Sequence, residues 1–143
     1  MFIIFLMVIS VFGIEKNSKI FNYIETEECV IPVPIDLKLI DQMSEYQYRY
    51  VTCRSDRFFC RTLSIYNTTE KEFHDYATKF NKTLKIQLGS NYEYKGYSMY
   101  RAEDQSQDET IYIFYRDNTQ IFIENFTKEE LDYLIDYCEH TKK

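Results

Sequence analysis

Four cysteines, three asparagine sequons, two histidines and a set of clustered tyrosines are the residues of this 143-residue chain whose types and spacing could do chemistry. The cysteines are Cys29, Cys53, Cys60 and Cys138. An even count in a small domain built for an oxidising compartment reads as a disulfide framework. The spacings lack the paired C-x-x-C of a zinc site, and neither histidine is sequence-linked to a thiol. Four cysteines allow three connectivities. The favoured one joins Cys53 to Cys60, because the six residues between them (RSDRFF) are enough for a hairpin turn. It leaves Cys29 for Cys138, a loop whose closure stabilises by about 4–5 kcal/mol in the chain-entropy account.

The sequons are Asn67-Thr68-Thr69, Asn81-Lys82-Thr83 and Asn125-Phe126-Thr127. Each is a candidate glycan acceptor in a secreted chain, and each lies beside an expected element end. His74 falls on the charged face of a helix, near Glu70 and Asp75, and His140 follows the last helical turn; both read as solvated. No G-x-S-x-G elbow, H-E-x-x-H pair or calcium-loop spacing occurs, and three glycines provide no phosphate-cradling loop. The acidic loop Glu103, Asp104, Asp108 and Glu109 lacks the alternation and glycine of a calcium loop. Nothing singles out a catalytic pair among 23 acidic residues. The expectation is no catalytic set, no metal and no cofactor.

The tyrosines carry the remaining candidate. Tyr46, Tyr48 and Tyr50 alternate along one segment, while Tyr92, Tyr94 and Tyr97 crowd another, with Tyr100 beyond them. Rings with a polar tip suit recognition surfaces. Were the two segments neighbours, these residues would form an aromatic wall for a protein partner or a small hydrophobic molecule. The competing reading is an ordinary half-buried sheet face in a chain rich in Tyr and Phe, 14 and 11 residues respectively.

Elements must position these residues. Ile31, Val33, Ile35, Leu37 and Leu39 alternate around Pro32 and Pro34, which favours extended chain; a helix from Asp36 to about Glu45 fits equally well. Tyr46 to Cys53 reads as a strand and Phe58 to Tyr66 as its return. Thr69-Glu70-Lys71-Glu72 has the form of a capping box, opening a helix with Phe73, Tyr76, Ala77 and Phe80 inward and an end near Asn81. Leu84, Ile86 and Leu88 then switch to period two. Tyr92 to Arg101 reads as a strand bent or bulged at Gly96. Thr110–Arg116 and Thr119–Asn125 form a hairpin around Asp117-Asn118, with Phe114 facing Ile121 and Tyr112 facing Ile123. Both of its faces are apolar, so both need cover. A second capping box, Thr127-Lys128-Glu129-Glu130, starts a helix burying Leu131, Leu134, Ile135 and Cys138. The sum is an α+β domain: an antiparallel sheet of five to seven strands with two or three helices packed on it and two disulfides.

Residues 1–14 (MFIIFLMVISVFGI) are uncharged and almost wholly apolar, the length of a signal-peptide core and too short to span a bilayer. Cleavage is expected after Gly13. Residues 15–28 read as a flexible lead-in and 29–143 as a single domain. No later segment is apolar enough to span a membrane. The net charge of −6 gives no attraction to phosphate backbones or anionic lipid, so neither nucleic acid nor a membrane surface is an expected partner. These features point to a secreted, non-enzymatic binding domain for an extracellular protein or small hydrophobic molecule. The alternative is a small secreted hydrolase whose active site carries no recognisable motif.

Overall fold

A computed structural model describes residues 21–53, 59–84, 92–104 and 109–143. Its strands are β1 (Phe21–Glu25), β2 (Val30–Pro34), β3 (Lys38–Ser44), β4 (Gln47–Cys53), β5 (Cys60–Asn67), β6 (Tyr92–Tyr94), β7 (Tyr97–Asp104), β8 (Glu109–Arg116) and β9 (Thr119–Glu124). Two helices, α1 (Glu70–Leu84) and α2 (Lys128–His140), complete the described elements. The expected leader, residues 1–14, lies outside the described residues.

The Asp117-Asn118 turn sets the middle of the main sheet. Both residues have positive φ, 49° and 66°, the left-handed pair of a hairpin turn whose twist matches its strands. It fixes Phe114 opposite Ile121 and Tyr112 opposite Ile123, as the sequence implies. Seven strands then run in the order β3-β4-β5-β9-β8-β7-β6, every pair antiparallel. β9 stands fourth of the seven, and Thr119–Ile123 are all buried.

Both faces are covered from within the chain. On one, Leu63, Ile65, Phe114, Ile121, Ile123 and Met99 pack against Leu131, Leu134, Ile135 and Cys138 of α2 and against Ile31 and Val33 of the β1–β2 hairpin. On the other, Phe73 and Ala77 of α1 pack on Ala102, Ile111, Ile113 and Phe122. The capping box of α2 is complete: Thr127 Oγ1 accepts from Glu130 N, and Glu130 Oε1 accepts from Thr127 N at 2.9 Å. For α1 only half forms. Thr69 Oγ1 accepts from Glu72 N at 3.2 Å, while the Glu72 carboxylate takes the Thr68 hydroxyl at 2.8 Å.

The structure corrects several expectations. Phe21–Glu25 is not a lead-in but β1, paired with β2 from Phe21↔Pro34 to Glu25↔Val30. The helical reading of Asp36–Glu45 fails, because Lys38–Ser44 is an edge strand bulged at two places. The bend at Gly96 is a full reversal: Lys95 and Gly96 have φ of 48° and 87°, and β6 folds back on β7. α1 runs past Asn81 to Leu84.

Two disulfides staple the domain: Cys29–Cys138 at a sequence separation of 109 and Cys53–Cys60 at a separation of 7. Cys53 and Cys60 are directly opposed across β4 and β5, which is why a short hairpin can carry the bridge. Cys29 and Cys138 are 1% and 0% exposed, whereas Cys53 is exposed. Thiolate attack requires access, so limiting reductant followed by alkylation is expected to label Cys53 and Cys60 before Cys29 and Cys138. Peptide mapping checks the order; early label at Cys138 would mean that the helix layer opens first. Removing the short bridge is expected to cost about 2–3 kcal/mol and the long one about 4–5 kcal/mol.

Candidate functional site

Sheet order decides what the tyrosines do. β4 and β6 lie at opposite sides of the sheet, so Tyr48 and Tyr50 are not neighbours of Tyr92 and Tyr94. The rings turn inward instead. Tyr50 is 9% exposed and Tyr97 0%, and Tyr48 and Tyr94 pack half-buried against the same core. Their hydroxyls serve the covering layer. Tyr48 donates to Glu25 O at 3.4 Å, and Tyr94 bonds Asp132 of α2. The Tyr97 hydroxyl sits 2.8 Å from Cys138 Sγ and accepts from Arg116 at 2.9 Å. Burial, with Glu28 nearby, pushes the Tyr97 phenol well above its ordinary value, and burial plus the Asp132 contact does the same for Tyr94. Tyr46 is not on a strand face: it occupies the left-handed β3–β4 turn, φ 67°, with Lys143 Nζ 5.3 Å from its ring centroid. The side chain of Tyr92 lies outside the described part of the structure.

The histidines divide. His74 is half-buried, its Nδ1 2.7 Å from the Tyr100 hydroxyl and its Nε2 3.8 Å from Glu70, so it holds α1 to β7 rather than standing in solvent. His140 is exposed. Residues 105–108 of the acidic loop lie outside the described residues. Among the described residues, no three His, Cys, Asp or Glu side chains group as a metal site would require.

A cavity of about 490 Å³ opens where the β2–β3 turn, the Cys53–Cys60 end of β4 and β5, and the start of α2 meet. Phe59 and Phe126 give it apolar wall, and Asp36, Arg61 and Thr127 its polar lining. Arg61 grips both Glu130 oxygens at 2.9 and 2.7 Å, and its Nε lies 3.3 Å from Asp36. Burial alone would raise the Glu130 carboxyl, but Arg61 and the Thr127 amide hold it below the ordinary range. Beside the cavity runs β3, the edge strand of the sheet among the described residues. Six large hydrophobic residues are exposed among those described, and four fall within nine positions here: Ile35 (58%), Leu39 (48%), Ile40 (58%) and Met43 (40%). The remaining two, Tyr23 and Tyr76, lie elsewhere. The sequence hid this edge because its alternation looks like a strand with one inward face.

One acid pair also escaped sequence reading. Glu124 at the end of β9 hydrogen-bonds Glu109 at the start of β8 and accepts from Thr62 Oγ1 at 2.8 Å. Burial first, and the Glu109 contact second, raise the Glu124 carboxyl to about 7. The two residues are 15 apart in sequence, and only the strand pairings bring them together.

No protein-family model matches this chain, and no characterised protein matches it with significant similarity. Two disulfides fit an oxidising, extracellular-type environment, and no described helix is long and apolar enough to cross a membrane.

Proposed function

We propose a secreted, non-enzymatic binding domain that engages an extracellular protein through the edge strand β3 and the adjoining cavity. The observation that carries this reading is the exposure of Ile35, in the β2–β3 turn, and of Leu39, Ile40 and Met43 on the edge strand β3. Single exposed apolar side chains are ordinary, but four within nine positions of one edge segment favour an interaction surface. The two bulges in β3 disfavour simple strand-to-strand addition, so side chains rather than backbone ladders would supply the contact. The apolar leader and the two disulfides support the secretory address. Tyr48, Tyr50, Tyr94 and Tyr97, committed to core and layer packing, are not part of this proposed surface.

The test is native mass spectrometry of the full chain collected from the medium of eukaryotic cells. A stoichiometric protein mass that is retained by the parent and lost in a Leu39→Asp, Ile40→Asp variant supports the proposal. A bare monomer, or a complex indifferent to that variant, sinks it; a small retained mass would move the reading to a hydrophobic ligand.

A second reading, a small secreted hydrolase, draws on Glu124, whose proton is held near neutral pH as a general acid requires. Activity on a broad hydrolase panel that disappears in Glu124→Gln would favour it.

A further inference from the structure

Two of the three sequons overlap helix starts, with the threonine of each at the N-cap: Thr69 accepts from Glu72 N at 3.2 Å, and Thr127 from Glu130 N at 3.1 Å. Their asparagines therefore occupy equivalent places, two residues ahead of a helix N-cap, and should behave alike if sequence decided. Their surroundings differ. Asn67 ends β5 and is exposed, and its carboxamide makes no hydrogen bond with the described residues. Asn125 is half-buried on the cavity wall with a left-handed backbone, φ 59°. Its Oδ1 accepts from Thr110 N at 2.9 Å, and its Nδ2 donates to Cys60 O at 2.8 Å. That one carboxamide joins the starts of β5 and β8 where β9 leaves the sheet.

We propose that Asn67 is a glycan-bearing residue of the folded protein and that Asn125 is kept unmodified as a structural tie. The inference rests on the secretory reading above. In the transfer, Nδ2 bonds to the anomeric carbon of a lipid-diphosphate-linked oligosaccharide. The carbon–oxygen bond to the diphosphate breaks with its electron pair, and one Nδ2 proton is lost to a base. Transfer acts on the chain before it folds, so both threonine hydroxyls are then free and both sequons can be presented. Folding imposes the distinction. At Asn67 the sugar extends from an exposed strand end and displaces nothing. At Asn125 it must replace a hydrogen on the nitrogen that serves Cys60 O, and it emerges into the cavity between Phe59 and Phe126. The modified nitrogen keeps one hydrogen, but seating a sugar on this half-buried carboxamide forces the side chain out of the wall, which breaks its bonds to Thr110 N and Cys60 O, and such a chain is removed from the folded pool.

The experiment uses the full chain from eukaryotic medium. Enzymatic deglycosylation in ¹⁸O water converts each modified asparagine to a labelled aspartate, and peptide mapping then reads each site. Label is expected at Asn67 and absent at Asn125. Asn67→Gln should lose one glycan and keep its melting midpoint, whereas Asn125→Gln should keep its glycan mass and melt about 3–6 °C lower. Label at Asn125 in the folded, secreted protein overturns the proposal, as does an unmodified Asn67. A chain retained in the cytosol and bare at every sequon would fail the secretory address as well, whereas a secreted chain bare at Asn67 fails this inference alone. The wild-type map decides the outcome even if Asn125→Gln does not fold.

Discussion

Replacing Arg116 by leucine is expected to lower the unfolding free energy by about 3–5 kcal/mol, the cost of leaving a buried charge without its partner. Arg116 is the hub of a cluster that clamps the β1–β2 hairpin and α2 to the end of β8. Its Nε bonds Glu28, Nη1 bonds Glu139 at 2.6 Å, and Nη2 donates to the Tyr97 hydroxyl. The guanidinium also stacks 4.0 Å above the Tyr97 ring centroid. The Arg116 and Glu28 side chains are 11% and 5% exposed, and the second Glu28 oxygen is buried without a hydrogen-bond partner. Burial already pushes the Glu28 carboxyl upward despite the arginine. Without that arginine the carboxylate keeps only the weaker attraction of Lys142 to offset its desolvation. The Glu139 leg matters less, since that side chain is 54% exposed and such pairs contribute little. Urea midpoints at constant slope measure the loss. The double variant Arg116→Met, Glu28→Gln should recover most of it, because removing both charges leaves no orphan. A single-variant cost below about 1 kcal/mol would mean that the cluster behaves as an exposed ion pair.

Acidification from pH 7.5 to 5.5 is expected to stabilise the fold, with Glu124 contributing on the order of 1–2 kcal/mol after discounting for its partial exposure. The Glu124 carboxyl titrates at about 7 in the folded chain because of burial and its contact with Glu109; unfolded, it returns to the ordinary glutamate range. Between those values the folded state holds a proton that the unfolded state has lost. Stability therefore falls as pH rises through the window, and it is fully regained below the unfolded value. Glu130 and Glu139, held low by their arginines, pull the opposite way only below the ordinary carboxyl range. Glu124→Gln keeps the Thr62 contact and should flatten this part of the profile. The difference between the two proteins cancels the titrating groups that do not contact Glu124. Equal slopes for parent and variant between pH 5.5 and 7.5 would show that the pair does not share a proton.

What was legible in the sequence was local. Asp117 and Asn118 tolerate positive φ, so the hairpin and its register could be read from two residues. Thr127 and Glu130 defined a helix start, and the 3.6-residue period then named Leu131, Leu134, Ile135 and Cys138 as its buried stripe. The short loop between Cys53 and Cys60 pointed to their bridge. What was not legible depends on strands distant in sequence. Nothing near Tyr48 or Tyr94 says that β4 and β6 lie on opposite sides of one sheet, so the aromatic wall dissolved once strand order was known. The Glu109–Glu124 contact arises the same way. The reversal at Lys95-Gly96 is hidden in the sequence because Tyr94 and Tyr97 flank it with strand-forming residues on both sides. β1 escaped because its outward residues are polar and its inward ones, such as Phe21, meet α2 more than a hundred residues later.

That last distance has a temporal consequence. The β1–β2 hairpin leaves the ribosome before the seven-stranded sheet and its covering helix after it, at about 5–20 residues per second. Ile31 and Val33, both 0% exposed in the finished fold, must wait uncovered while the whole sheet is made. Cys29 waits with them as a reactive thiol until Cys138 arrives, whereas Cys53 can close on Cys60 as soon as β5 emerges. Oxidation thus has a natural order, short bridge before long. Closing the short bridge early withdraws the two cysteines that could otherwise capture Cys29 in the wrong pairing.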